Sequence, residues 1–191
     1  MLEVEQKYEL DDQPRLRGQL AAIGAIAGTT ERHRDTYFQH PSRDFVQTSE
    51  ALRIREIDSI ASVTYKGPKL AVGDSTLKAR KEIEWCLAPG DANGCQMHEL
   101  LVALGFREVA TVRKERQSFH WPAGNRELAA FTLTIDLVDQ VGLFSEIELL
   151  VPEADAADGN VDQAGERIAA LAARLSLTRP VRESYLELLL R

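Results

Sequence analysis

Apolar and polar residues alternate from the start of the chain. Leu2, Val4 and Tyr8 fall on one side of an extended segment, and Glu3, Glu5 and Lys7 fall on the other. This period predicts a strand over residues 2–10. The same signal recurs at about 30–38, 50–57, 61–67, 77–87, 107–120, 127–138 and 143–151. Between these runs the period changes. Asp11 or Asp12 is placed to cap a short helix with Pro14 in its first turn, Leu16, Leu20 and Ile23 on one side, and Gly24 as its stop. A second helical pattern covers 91–104, with Leu100, Leu101 and Leu104 apolar and Gly105 ending it. A third runs from Asp162 to Leu175, with Ile168, Leu171 and Leu175 on one face, and Ser184 to Leu190 makes a short last one. The breakers from Gly67-Pro68 to Asp74-Ser75 predict a loop, and Pro122-Ala123-Gly124-Asn125 predicts a turn. About eight meander-type strands interrupted by helices predict an α+β fold, a closed or nearly closed antiparallel β-barrel with helices packed outside.

The polar faces of these strands are unusual. Arg53 and Arg55 share a face against Leu52 and Ile54, and Lys66 precedes the tight Gly67-Pro68 exit. Arg80, Glu82 and Glu84 oppose Ile83 and Trp85. Lys114 and Arg116 form another pair, Thr132, Thr134 and Asp136 another set, and Glu146 and Glu148 the last. Any one of these segments reads as the wet face of an antiparallel sheet. Seven together, built mostly of Arg, Lys and Glu where solvated faces mix Ser, Thr, Gln and Lys, predict a cavity lined with acids and bases. Arginine forks clamp phosphate oxygens, and carboxylate clusters suit a hard divalent cation. Enclosing both in one barrel also leaves neither as an unpaired buried charge.

With 191 residues, 44% of them apolar, the chain has enough material for a sizeable core in one domain over 1–191. No apolar run is long enough to span a bilayer, and the first residues lack a basic-then-apolar leader pattern. Two cysteines, Cys86 and Cys95, make no disulfide framework or metal spacing, so a reduced cytoplasmic protein without a membrane partner is expected. A formal charge of −7 disfavours a nucleic acid polymer as partner but not a small anion, since local arginines reverse the potential inside a cleft.

Taken in order, these residues resemble the CYTH family, the triphosphate tunnel metalloenzymes, which includes class IV adenylyl cyclases and thiamine triphosphatases. The opening Glu-x-Glu-x-Lys is Glu3, Glu5 and Lys7; the paired basic strand is Arg53 and Arg55; the lysine before Gly-Pro is Lys66. Glu82 and Glu84 match the Glu-x-Glu strand, and Lys114 and Arg116 the Lys-x-Arg strand. Asp136 with Gly142-Leu143-Phe144-Ser145-Glu146-Ile147-Glu148 matches the late acidic segment. Asp35-Thr36-Tyr37-Phe38, Glu50 to Arg55, and Ser184-Tyr185 are similar to the class IV cyclase-like branch. The likeness covers nearly the whole chain.

The resemblance implies an eight-stranded antiparallel tunnel holding a triphosphate on its basic side and Mg²⁺ or Mn²⁺ on its acidic side. It implies Glu3, Glu5, Asp136, Glu146 and Glu148 as metal ligands, not all on one ion, with Glu82 and Glu84 completing the acidic wall. Glu82 is the likelier of those two to touch metal or water. It implies Lys7, Arg53, Arg55, Lys66, Lys114 and Arg116 as the triphosphate clamp, with Arg80 beside them. Lys7, Arg53, Arg55, Lys66, Glu82, Lys114 and Arg116 are then the residues expected to act in catalysis. If water attacks the terminal phosphorus, the protein hydrolyses inorganic triphosphate, thiamine triphosphate or a nucleotide. If a ribose hydroxyl of ATP attacks the α-phosphorus, it is a cyclase making cyclic AMP and pyrophosphate. Hydrolysis is ranked slightly ahead, and a non-catalytic polyphosphate- or nucleotide-binding module is the third reading.

Several features are expected to be structural. His33, His40, His98 and His120 match no ligand spacing and are expected at the surface or in loops. Cys86 is expected to pack as a small apolar group. Gly67-Pro68 and Gly142 read as turn formers, and there is no P-loop or dinucleotide fingerprint. Trp85, Trp121, Tyr37 and Phe38 read as core or rim residues that are also able to stack on a ring. The helix at 162–175 is expected outside the barrel, as a support or as the contact of a homodimer.

Overall fold

The computed structural model describes residues 2–68, 78–151 and 160–191. Most of the loop expected between Gly67 and Ser75 therefore lies outside the described residues. Eight antiparallel strands close on themselves in the order β5 (Lys78–Cys86), β4 (Ile60–Lys66), β3 (Ala51–Ile57), β2 (Ile26–Gln39), β6 (Arg107–His120), β7 (Phe131–Val138), β8 (Gly142–Val151) and β1 (Leu2–Glu9). The ring closes where β1 pairs with β5 over Leu2 to Glu5. A two-residue strand, β9 (Pro180–Val181), pairs with the other half of β1, at Lys7 and Tyr8.

The barrel is built with its apolar faces outward. Leu2, Val4, Leu133, Ile135, Ile147 and Leu149 leave the outer wall to form one core with α1 (Gln13–Ala22) and α4 (Asn160–Arg174). Helix α4 offers Ala164, Ile168, Leu171 and Ala172, and α1 offers Leu16 and Leu20, each fully covered. A second core lies under α3 (Cys95–Ala103), where Leu101 meets Phe38, Ile54 and Ala61. Burying these outer faces stabilises the ring at about 25 cal/mol per Å² of apolar surface covered, without any need for an apolar interior. Inside, Tyr37, Val112, Val138 and Phe144 pack with Tyr185, and the rest of the interior is left for charge.

Local chemistry explains where the elements begin. Asp12 caps α1 by accepting from the Arg15 amide at 2.9 Å. The expected helix from 91 starts at Cys95, because the Asp91 carboxylate takes the Gln96 and Met97 amides at 3.1 and 2.8 Å and holds the preceding residues in turns. Gly94 adopts φ 73° there, and a Cβ on it would stand 2.9 Å from the Ile54 side chain. Strand β2 begins at Ile26, earlier than the alternation indicated, because it stays paired with β6 through a bulge between Ala27 and Thr30. Strand β7 starts at Phe131 instead of near 127, since the Asn125 side chain accepts from the Leu128 amide at 3.1 Å and extends the turn. The four-residue helix α2 (Phe45–Thr48), capped by Asp44, and strand β9 are too short to leave a periodic signal. Helix α5 (Tyr185–Leu189) is closed by a capping box of Ser184 and Glu187.

Candidate active site

Strand pleat and register decide which side chains meet inside. Glu5 lies directly opposite Glu148 and Lys7 opposite Glu146 across β1 and β8, while Glu3 lies opposite Arg80 across β1 and β5. Arg53 and Arg55 face Tyr37 and Asp35 of β2, and Arg116 faces Asp136 of β7. Paired residues project to one side, so these side chains line one cavity of about 660 Å³, except Asp136, which lies covered behind Arg116.

One wall is acidic. Carboxylate oxygens of Glu3, Glu5 and Glu148 lie within 4.8 Å of one another. Burial, and then the neighbouring Glu146 and Glu5 against a partial offset from Arg116, push the Glu148 carboxyl up to about 7. Glu3 is also raised well above the usual carboxylate range, by burial first, with Lys66 opposing and Glu5 and Glu148 reinforcing. Lys66 at 3.7 Å from Glu3 and Arg116 at 3.8 Å from Glu148 do not bring these two carboxyls down to the usual range, and a hard cation that takes oxygen ligands would relieve the crowding. The donor set therefore suits Mg²⁺ or Mn²⁺.

The facing wall is basic, and its own carboxylates hold it in shape. Asp35 accepts from Arg55 Nε at 2.7 Å and Nη2 at 2.6 Å, and Arg53 Nη1 stands 3.6 Å from it. Burial opposes ionisation of Asp35, but Arg55 and Arg53 outweigh it and hold the carboxyl far below its usual range. Asp136 is likewise covered, accepting from Arg116 Nε at 2.7 Å, Lys114 Nζ at 3.3 Å and the Tyr185 hydroxyl at 2.8 Å. Burial, with Arg116 adding to it, brings the Lys114 ammonium down to about 8. Lys7 donates to the Glu183 carbonyl at 2.8 Å and sits 3.7 Å from the Tyr185 ring centroid. Lys66 is ion-paired with Glu82 and stands 3.7 Å from Glu3.

The structure brings Lys7, Arg53, Arg55, Lys66, Arg80, Lys114 and Arg116 into one lining, together with Glu3, Glu5, Glu82, Glu84, Glu146 and Glu148. It does not gather all the expected ligands. Glu146 pairs with Arg116 and lies 3.8 Å from Lys7, Asp136 is enclosed by the basic wall, Glu82 sits on Lys66, and the exposed Glu84 accepts from the Thr64 hydroxyl. Sequence reasoning passed over Asp35 and Tyr185 as working residues. Asp35 was legible, because His33, Asp35 and Tyr37 share a face at period two; Tyr185 comes from a helix after the barrel, and only the fold returns it to Asp136.

Two expectations for other residues are corrected. Cys86 is exposed and does not pack as an apolar group. His33 is buried on an inner strand face, not at the surface. Among the aromatics, Trp121 is core, with its indole N–H on the Ile23 carbonyl at 3.1 Å, whereas Trp85 is 53% exposed.

A barrel with apolar cores on its outside and opposed acidic and basic walls inside defines a tunnel fold. The family model for the CYTH domain matches residues 1–176, and the chain belongs to that family. A Methanocaldococcus jannaschii protein, provisionally named an adenylate cyclase, is 35% identical over 188 residues, covering 98% of each chain. A solved protein of Pyrococcus horikoshii is 34% identical, superposes with a TM-score of 0.81 and covers 98% of both chains. A Hippeastrum protein, described as a provisional adenylyl cyclase with a dominant triphosphatase activity, shares the fold at 17% identity, TM-score 0.65 and coverage of 98% and 94%. No helix among the described residues is long and apolar enough to cross a membrane.

Proposed function

We propose that this protein is a divalent-cation-dependent enzyme that binds a triphosphate chain in its tunnel and hydrolyses the terminal phosphoanhydride. The observation that carries the reading is the opposition of the Glu3–Glu5–Glu148 cluster to the Arg/Lys wall across a single cavity. Arg53, Arg55, Lys114 and Arg116 would grip the phosphate oxygens, with Lys7, Lys66 and Arg80 beside them. Asp35 and Asp136 keep two of the forks aimed, so little reorganisation is needed when the anion enters. Glu3, Glu5 and Glu148 would hold Mg²⁺ or Mn²⁺, with Glu82, Glu84, Glu146 and Asp136 acting through water, a second ion or the neighbouring cations. Once bound, the cation supplies charge neutralisation to phosphate oxygens and lowers the pKa of water beside it.

Hydrolysis is favoured over cyclisation because, among the described residues, the cavity lining offers no uncommitted carboxamide to read a purine. Gln39 is the one carboxamide lining the cavity among the described residues, and it is committed, its Oε1 to the Phe45 amide at 3.2 Å and its Nε2 to Asp44 at 3.2 Å. The alternative, an adenylyl cyclase, is supported by the name of the Methanocaldococcus jannaschii relative and by Phe45, Val46, Val109 and Leu186 in the cavity lining, which suit an organic group.

Purified protein with Mg²⁺ or Mn²⁺ would be offered inorganic triphosphate, thiamine triphosphate and ATP, scoring orthophosphate, pyrophosphate and cyclic AMP separately. Orthophosphate without a cyclic product is expected. Cyclic AMP with equimolar pyrophosphate would make the protein a cyclase, and saturable binding without turnover would leave it a binding module. Glu5→Ala should keep the fold and lose turnover; normal metal-dependent turnover in that variant would remove the first strand from the site.

A further inference from the structure

The cations of the tunnel differ in what surrounds them. Lys7, Arg53, Arg55, Lys66, Lys114 and Arg116 each keep a carboxylate oxygen between 2.5 and 3.8 Å away. Arg80 does not. It lies on the inner face of β5, is 8% exposed and lines the same cavity. Among the described residues, no carboxylate stands within ion-pair distance of its guanidinium and no group accepts a hydrogen bond from it. The acids nearest to it in the fold are committed elsewhere. Glu3, its direct partner across β1, stands 3.7 Å from Lys66; Glu82, two residues on, pairs with the same lysine; and Glu84 accepts from the Thr64 hydroxyl.

A buried cation without a counterion is costly, and an anion that enters the cavity is what offsets the cost. The six paired cations are partly neutralised before any ligand arrives, whereas the field of Arg80 reaches the cavity without a fixed counterion in the way. The register says where along a row of phosphates that field acts. Closure of the ring by β1 and β5 sets Arg80 against Glu3, which shares the acidic cluster with Glu5 and Glu148. Arg55, Lys114 and Arg116 belong to the opposite wall, gathered around Asp35 and Asp136. In metal-assisted transfer, the phosphorus attacked is one whose oxygens reach the metal. A triphosphate gripped by the basic wall and extending to the acidic cluster therefore brings its reacting phosphoryl group beside Arg80.

We infer that Arg80 is a catalytic residue of the tunnel, a fork held ready for the charge that builds up as the phosphoanhydride breaks, while the paired cations hold the substrate. In hydrolysis, a bond forms from the water oxygen to the terminal phosphorus and the bond from that phosphorus to the bridging oxygen breaks. The electron pair stays on the diphosphate, one proton of the water leaves to solvent, and the other stays on the orthophosphate. Arg80 donates to the oxygens on which this charge gathers. Burial fixes its fork in advance, so little reorganisation is needed at the moment of reaction. The inference rests on the reading that a triphosphate reacts in the tunnel, and adds to it a division of labour among the cations.

Arg80→Met keeps the unbranched stem and removes the charge. With Mg²⁺ and whichever of inorganic triphosphate, thiamine triphosphate and ATP the wild-type protein turns over, kcat should fall about 10²–10³-fold. Affinity for the same compound, measured by calorimetry in EDTA, should change by no more than about threefold, since the lost contact belongs to the transition state. The urea midpoint should match or exceed that of wild type, because no carboxylate loses its partner. In Arg80→Ala, guanidinium ion added to the assay should restore part of the turnover, and methylammonium should not. Binding lost in step with turnover would make Arg80 one more clamp, and a lowered midpoint or a failure to fold would make it structural. Either result, or turnover near that of wild type, overturns this inference and leaves the triphosphate site standing. A wild-type protein that binds no triphosphate, or binds one without reaction, overturns both.

Discussion

Asp136 and Glu148 lie on adjacent strands beside the same arginine, Arg116, and ionise in opposite ways. Asp136, on β7, takes hydrogen bonds from Arg116, Lys114 and Tyr185 and is held well below the usual range, despite burial that pushes it upward. Glu148, on β8, has Arg116 Nη1 only at 3.8 Å and shares its space with Glu3 and Glu5, so burial and like charge carry it up to about 7. Asp136 is the more deeply covered, at 0% side-chain exposure against 21% for Glu148, so burial alone would raise Asp136 more; the partner set decides the outcome. Carboxylates of the basic wall are counterions that hold cations in place, whereas those of the acidic wall are short of a cation.

Neutralising one of each should separate these roles. Asp136→Asn strands Lys114 and Arg116 in the interior without their anion, and breaking such a buried pair costs about 3–5 kcal/mol. Equilibrium urea unfolding would read it as a lowered midpoint with an unchanged slope. A variant within about 0.5 kcal/mol of wild type would mean that Glu146 alone suffices as counterion. Glu148→Gln should do the reverse. It removes a charge that the metal-free fold resists, so the variant should match or exceed wild-type stability at pH 8, yet turnover with Mg²⁺ or Mn²⁺ should fall about 10²-fold. Lost stability together with retained turnover would make Glu148 a structural residue.

The same contrast has a pH signature. Glu148 is raised from its ordinary value near 4.5 to about 7, so the folded chain binds the extra proton. Its stabilising share is complete below pH 4.5 and is lost as pH rises through 7. A divalent cation competes with that proton, and its stabilisation should therefore grow as pH rises. Thermal shifts with excess Mn²⁺ should be larger at pH 8 than at pH 6 by a few °C, about 2–4 °C per kcal/mol for a chain of this size. An equal shift at both values, or a shift that survives in Glu148→Gln, would separate the metal from this carboxylate.

Much of this was legible in the sequence, for a physical reason. Strand pairing needs a strict period of two, and a barrel packed on its outside writes that period as apolar against charged, so Leu2–Val4 and Glu3–Glu5 announce both wall and cavity. What alternation cannot say is which inner residues become partners across strands distant in sequence. The closeness of Glu148 to Glu3 and Glu5 depends on β1 closing the ring beside β8, and even between the consecutive β6 and β7 it is the register that sets Asp136 against Arg116. That is why seven acids read alike, while the structure gathers three of them and commits others to cations.

The smallest expected effect tests how far the basic wall depends on the tail of the chain. Tyr185 enters from α5, its hydroxyl 2.8 Å from Asp136 and its ring under the Lys7 ammonium at 3.7 Å. Tyr185→Phe removes the first contact and keeps the second. Asp136 would still hold Arg116 and Lys114, so the loss should be near the net worth of one hydrogen bond, about 1 kcal/mol. Because that bond favours the ionised carboxylate, its removal should raise the Asp136 pKa slightly and move the acid side of the stability curve to higher pH. Both changes are readable by urea unfolding at pH 7 and pH 4. A loss near that of Asp136→Asn would show instead that the hydroxyl, and with it the seating of α5, is what keeps the Arg116 fork in place.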